Sequence, residues 1–157
     1  MRGIEAQESS RISPPLRLGE GWGWGPMKDD RKRLGASGEV IARRYLENLG
    51  WRILAANYRC KQGEIDLVAE EPMAEEGPAL VFLEVKTRRG RAHGAPVEAV
   101  DARKRRQIRT AAQTFLGERA AGGEEPVCRF DIVEIFVGPD GLATVALRRS
   151  AFGLEEI

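Results

Sequence analysis

GEIDLVAE (residues 63–70) and ALVFLEVK (residues 79–86) are strand-like runs on either side of a short acidic gap, and each carries carboxylates where a core strand rarely keeps them. Side chains alternate faces along a strand, so Ile65, Leu67 and Ala69 share one side and Glu64, Asp66 and Val68 the other. In the second run Val81, Leu83 and Val85 oppose Phe82, Glu84 and Lys86. With a turn centred near Glu75, Asp66 faces Glu84, Glu64 faces Lys86 and Val68 faces Phe82; a slip of one residue would separate the two acids onto different faces. Opposed Cβ atoms stand about 5 Å apart and like charges there destabilise a sheet, so a positive charge is expected between Asp66 and Glu84.

Oxygen ligands suit a hard cation. Asp66 and Glu84, with a backbone carbonyl such as that of Val85 and waters, match the needs of Mg²⁺ or Mn²⁺, and Lys86 would point at a water or a scissile phosphate. The competing interpretation is a surface hairpin with a polar wet face. Against it, Ala79 to Leu83 is apolar on both faces, as in a buried central strand, which puts Glu84 and Lys86 at the end of a core strand.

The flanking segments supply the rest of a sheet and its helices. Leu34, Ile41, Ala42, Tyr45, Leu46 and Leu49 recur at helical spacing between Asp30 and Leu49, and Gly50 provides a stop. Glu39 lies off that stripe in the first half of the helix, where a carboxylate suits the macrodipole; a solvated helix glutamate is the plainer alternative. Trp51 to Asn57 alternates as a strand. Ala95 to about Ala121 predicts a turn and a long helix with a core face of Ile108, Ala111, Ala112, Phe115 and Leu116, ended by Gly122 and Gly123. Val127 to Val137 predicts a strand with Phe130, Ile132 and Glu134 on one face and Val133 and Ile135 on the other, and Thr144 to Arg149 predicts an edge strand after a Pro-Asp-Gly turn. The predicted order is αβββαββ, an α/β fold with a central mixed sheet flanked by helices. In it Asn57 and Arg59 hold the first strand to the rim of the site, and Asp131 is a structural partner for an arginine.

At 157 residues, 42% apolar and 31% charged, the chain suits one core rather than two domains. Residues 27–157 are expected to form a single domain. Residues 1–26, rich in Gly, Ser and Pro despite Trp22 and Trp24, predict a disordered extension, with Met27 as an alternative natural start and a DNA-stacking arm as the sharper reading of the tryptophans. No apolar run reaches membrane-spanning length and no secretory signal pattern is present, so no membrane partner is expected. Cys60 and Cys128 lack metal-site spacing, which fits a reducing, cytoplasmic setting. One histidine leaves almost no material for a histidine metal site or a Ser-His-Asp triad. Any catalysis must run on carboxylates, lysine and metal.

The net charge of +1 conceals a strong pattern. Every charged residue from Glu64 to Glu84 is acidic, whereas Lys28, Arg31, Lys32, Arg33, Arg43, Arg44, Arg52, Arg59 and Lys61 precede that stretch, and Lys86, Arg88, Arg89, Arg91, Arg103, Lys104, Arg105, Arg106 and Arg109 follow it. An acidic centre between basic flanks is what a metal-dependent nuclease needs, cations for the phosphate backbone and carboxylates for the metal. Arg59, Arg88, Arg89, Arg91, Lys104 and Arg105 are the candidates for phosphate contact, with Gly90 permitting close backbone approach. For Arg103 to Arg106 a simple solvated face is an equal alternative. Phosphate contacts of this kind position a protein without reading bases.

Several separated motifs occur together and in order: Gly35-x-x-Gly38-Glu39, Tyr45-Leu46, Asn57-x-Arg59, GEIDLVA (63–69), LVFLEVKTR (80–88), HGAPVEAV (93–100), Lys104 and RFDIVEI (129–135). Over Leu34 to Ile135 the chain resembles the YraN-like family of bacterial proteins, which is similar to the Holliday-junction resolvase branch of the PD-(D/E)xK nuclease superfamily. The resemblance implies a restriction-endonuclease-like fold, Asp66 as the superfamily aspartate, Glu84 and Lys86 as its ExK pair, and Glu39 as the helical glutamate that completes the site by holding a water or a second ion. Gln107 matches a glutamine of related nucleases. His93 departs from the family, which more often has an aromatic before the glycine. The resemblance implies a Mg²⁺- or Mn²⁺-dependent endonuclease on DNA rather than RNA, with branched or structured DNA as the substrate and a homodimer suggested by two-fold substrates. A nucleic-acid-binding module that keeps the fold without turnover, and serves DNA repair or uptake, is the alternative; a protein-interaction domain would leave the flanking cations unexplained.

Overall fold

The computed structural model describes residues 16–17, 30–72, 77–89, 100–119 and 126–152, with the backbone alone described at 16–17 and 30–36. The expected turn at Glu75, the stretch carrying Gly90, Arg91 and His93, the helix onset at Ala95, its Gly122–Gly123 end and Trp22 and Trp24 all lie outside those residues. In chain order the elements are β1 (Leu16–Arg17), α1 (Asp30–Asn48), β2 (Arg52–Cys60), β3 (Gly63–Glu71), β4 (Ala79–Arg89), α2 (Ala102–Arg119), β5 (Cys128–Val137) and β6 (Leu142–Phe152). From α1 onward this is the order αβββαββ. The two residues of β1, inside the 1–26 stretch, pair with β6.

One sheet runs β1-β6-β5-β4-β3-β2. Its neighbours are antiparallel except β4 and β5, which are parallel. A parallel pair cannot be closed by a tight turn, and α2 is the crossover between them. Ala79 to Leu83 is buried throughout, as its two apolar faces require of a strand in the middle of a sheet. Among the described residues the fold is α/β, a mixed sheet with two helices.

Each helix covers one face. Ile41, Ala42, Tyr45 and Leu46 of α1 join Leu67, Ala69, Val81, Leu83, Val133 and Ile135 in one core. Ile108, Ala111, Ala112 and Phe115 of α2 join Val68, Phe82, Phe130 and Ile132 in the other. Phe82 and Phe130 stack at 5.4 Å, and Phe115 meets Phe82 edge-on at 5.9 Å, geometries that add to simple area burial. Leu49, expected on the α1 stripe, is instead exposed, because the helix has already ended at Asn48. Gly50 takes φ +84°, its N–H donates to Glu47 O, and the Trp51 N–H donates to Leu46 O. This is a Schellman C-cap, and Leu46 and Trp51 pack in the same core as such caps favour.

The β3–β4 register agrees with the expectation over Leu67↔Leu83, Val68↔Phe82, Ala69↔Val81 and Glu70↔Leu80. The face assignment needs one correction. Ile65 packs in the α2-side core, opposite to Leu67 and Ala69. The change of face coincides with an irregularity in the neighbouring strand, where Asn57, between the pairs Ala56↔Leu67 and Tyr58↔Ile65, adopts φ +51°. Tyr58 and Ile65, paired with one another, both face α2. Asp66 sits at the level of this inversion.

Candidate metal and nucleic-acid site

The expected pairs Asp66–Glu84 and Glu64–Lys86 do not continue the ladder, which stops at Leu67↔Leu83. Asp66 itself is the reason: its Oδ2 accepts the Val85 N–H at 2.7 Å, so a side chain takes the place of the next backbone rung. The strands part there. β4 continues beside β5, with Glu84↔Ile132, Val85↔Val133 and Lys86↔Glu134. Glu64 is paired on the other side with Arg59, whose Nε is 3.8 Å from Glu64 Oε2. Asp66, Glu84 and Lys86 therefore lie at a fork between β3 and β4, the first two held close enough to act on one another electrostatically.

Burial first and the Asp66 charge second push the Glu84 carboxyl up to about 7, against the opposing pull of Lys104 and Lys86. Asp66 is also raised, chiefly by burial, with Glu39 and Glu64 adding to the rise and the Val85 N–H and Lys104 opposing it. Burial makes both carboxyls resist ionisation, and the positive charge nearby offsets it only in part. Lys104 Nζ stands 3.5 Å from Glu84 Oε2 and 3.7 Å from Glu64 Oε1. At that distance it is an ion pair rather than a formed hydrogen bond, and Glu84 Oε2 is buried with no hydrogen-bond donor.

An orphaned buried carboxylate oxygen beside a second carboxylate fits a hard cation such as Mg²⁺ or Mn²⁺. Among the described residues no three acidic, histidine or cysteine side chains converge to hold an ion by themselves. A cation here would use Asp66 and Glu84 and fill its shell with water and backbone oxygen. Glu39, expected to hold a water or a second ion, has its Oε2 accepting from Asn57 Nδ2 at 2.7 Å and acts on Asp66 through its charge. Asn57 thus ties β2 to Glu39 of α1.

A family profile described as Uncharacterised protein family UPF0102 matches residues 38–135, a span that contains Glu39, Asp66, Glu84, Lys86, Lys104 and Gln107. The chain belongs to the UPF0102 family. A UPF0102 protein of Symbiobacterium thermophilum is 46% identical over 121 residues, covering 77% of this chain and 97% of the relative. UPF0102 proteins of Desulforamulus reducens (43% over 115 residues, 73% and 90% of the two chains) and Moorella thermoacetica (42% over 123 residues, 78% and 97%) are similar to it as well.

Two glycines set the helices of this UPF0102 fold against the fork. A Cβ on Gly38, the residue before Glu39, would lie 1.8 Å from Thr87 Oγ1, so α1 can meet β4 only with hydrogen at that position. A Cβ on Gly63 would lie 2.8 Å from the Gln107 carbonyl oxygen, which fixes the start of β3 against α2. Backbone cannot yield as a flexible side chain can. Gly63→Ala is expected to cost about 1–3 kcal/mol and to move Lys104 away from the acids, read as a lower midpoint in urea unfolding. Gln107 is partly buried above Gly63, its main chain rather than its amide making that contact.

The basic candidates divide. Arg59 is well exposed, Arg89 is exposed and Arg88 partly so at the end of β4. Arg105 is turned inward: its Nε donates to Val100 O at 2.7 Å and its guanidinium lies 5.9 Å from the Phe152 ring centroid, so it anchors α2 to the sheet. The Lys104 N–H donates to Asp101 Oδ1 at 2.8 Å, an N-cap that sequence patterning alone had not singled out. Asp131 is a structural partner as expected, bonded to Arg129 Nε at 2.8 Å and to the Ser150 N–H at 2.9 Å, on the β5–β6 pair. Cys60 and Cys128 are unbridged. Among the described residues no helix is long and apolar enough to cross a membrane.

Proposed function

We propose that this chain is a metal-dependent endonuclease of restriction-endonuclease-like architecture, cutting DNA and preferring branched or structured forms. The observation that carries the proposal is the fork itself: Glu84 Oε2 is buried without a donor, next to an Asp66 that has left the β-ladder, with Lys86 two residues further along β4. Mg²⁺ or Mn²⁺ bound by Asp66 and Glu84 would supply Lewis-acid polarisation of the phosphate and a more acidic water. Lys86 would orient the attacking water and offset charge developing on the phosphate. Glu39, fixed by Asn57, would hold that water's hydrogen-bond network from the α1 side. Arg59, Arg88 and Arg89 would grip the backbone on the rim.

The test is incubation of the purified chain with linear, flap and four-way-junction DNA in Mg²⁺ or Mn²⁺, beside Asp66→Asn and Lys86→Ala. Metal-dependent cleavage lost in both variants is the expected result. Steeply salt-dependent DNA binding without any cutting would identify a binding module instead, and neither binding nor cutting would end the nucleic-acid account.

A further inference from the structure

We infer that Lys104 is the resident counter-ion of the Asp66–Glu84 fork, displaced by the incoming divalent cation and then available to a substrate phosphate, so that metal loading and DNA binding reinforce one another. This rests on the metal-site reading above and adds a role for a residue on the opposite helix. The Lys104 ammonium lies between two acids, 3.7 Å from Glu64 Oε1 and 3.5 Å from Glu84 Oε2, and it also acts electrostatically on Asp66. It satisfies neither carboxylate closely. Such loose ion pairs are worth little once a better cation arrives, and a lysine is a compact charge on a flexible stem that can re-aim without moving the helix. The helix stays fixed because the Lys104 N–H is held by Asp101 Oδ1 at 2.8 Å and because Gly63 seats β3 against the Gln107 carbonyl.

The arrangement has two thermodynamic consequences. Lys104 competes with metal for the same carboxylates, which weakens metal binding to the isolated protein. When DNA is present the expelled ammonium gains a phosphate, so metal and DNA each strengthen the other's binding by the same factor, as linkage demands. Arg59 is placed to take over the charge of Glu64 once Lys104 leaves, being 3.8 Å from its carboxylate already.

Calorimetric titration of Mn²⁺ into wild type, Lys104→Gln and Lys104→Arg, followed by DNA binding in Ca²⁺ and in EDTA, tests this. Lys104→Gln is expected to bind Mn²⁺ about five-fold or more tighter than wild type, and to lose the Ca²⁺-dependent gain in DNA affinity that wild type has. Lys104→Arg retains the charge and is expected to stay near wild type in Mn²⁺ affinity, and matching thermal midpoints establish that the variants are folded. Unchanged or weaker Mn²⁺ binding in Lys104→Gln overturns the inference while leaving the metal site standing. Wild type that binds Mn²⁺ no better than Asp66→Asn overturns the metal site, and this inference with it.

Discussion

Glu84→Gln is expected to stabilise the metal-free protein at pH 8, by on the order of 2–3 kcal/mol, while abolishing its response to Mg²⁺. Burial and the neighbouring Asp66 raise Glu84 from 4.5 to about 7, so the folded state holds a proton that the unfolded chain has already released. Stability from that proton is fully present below about 4.5 and is lost as pH rises through about 7. Asp66, raised as well, contributes a slope of the same sign. Glutamine keeps the shape of the protonated acid at every pH, and the loss should therefore shrink in the variant. Saturating Mg²⁺ reverses the ranking, because a ligand of the folded state stabilises wild type in proportion to RT ln(1 + [L]/Kd) and Glu84→Gln has lost the site. Urea unfolding at pH 5 and pH 8, with and without Mg²⁺, measures all of this. A Glu84→Gln protein less stable than wild type at pH 8 without metal would contradict it.

Asp66→Asn is expected to lower the single-turnover cleavage rate by at least about 10³-fold, equivalent to about 4 kcal/mol of barrier, with no loss of stability. The separation of the two effects follows from what Asp66 does in the fold. Its Oδ2 accepts the Val85 N–H at 2.7 Å, and an asparagine carboxamide oxygen can accept the same bond, so the fork survives. What is removed is the negative charge for the cation. Lys86→Ala should lose about 10²–10³-fold, the usual scale for deleting one group aimed at developing charge. Thermal unfolding beside the cleavage assay distinguishes this from simple misfolding.

The order of elements from α1 onward, the β3–β4 register and both core-facing helix stripes were legible because each is written in periodicity, and Gly50 marked the end of α1 through its backbone freedom. The fork was only half legible. Alternation places Asp66 and Glu84 on one face, but it assumes an unbroken pleat, and Asn57 at φ +51° breaks it in the adjacent strand. An asparagine tolerates that conformation without demanding it, and alternation alone puts Ile65 on the wrong face. Lys104 is a second instance. A run of four basic residues from Arg103 to Arg106 reads as one charged face, whereas helical geometry sends Lys104 to the acids, Arg105 to Val100 and Phe152, and leaves Arg103 and Arg106 exposed. The buried Glu134, bonded to Arg148 Nε at 2.6 Å and beside Lys86 in the β4–β5 register, needed the pairing of three strands to be seen.

The most direct test of the fork as a cation site is anomalous diffraction from crystals of the protein soaked in Mn²⁺. A manganese peak beside the Asp66 and Glu84 carboxylates is expected, with the Lys104 ammonium moved off Glu84, and no such peak in Asp66→Asn. A peak elsewhere, or none between these residues at saturating Mn²⁺, would contradict it.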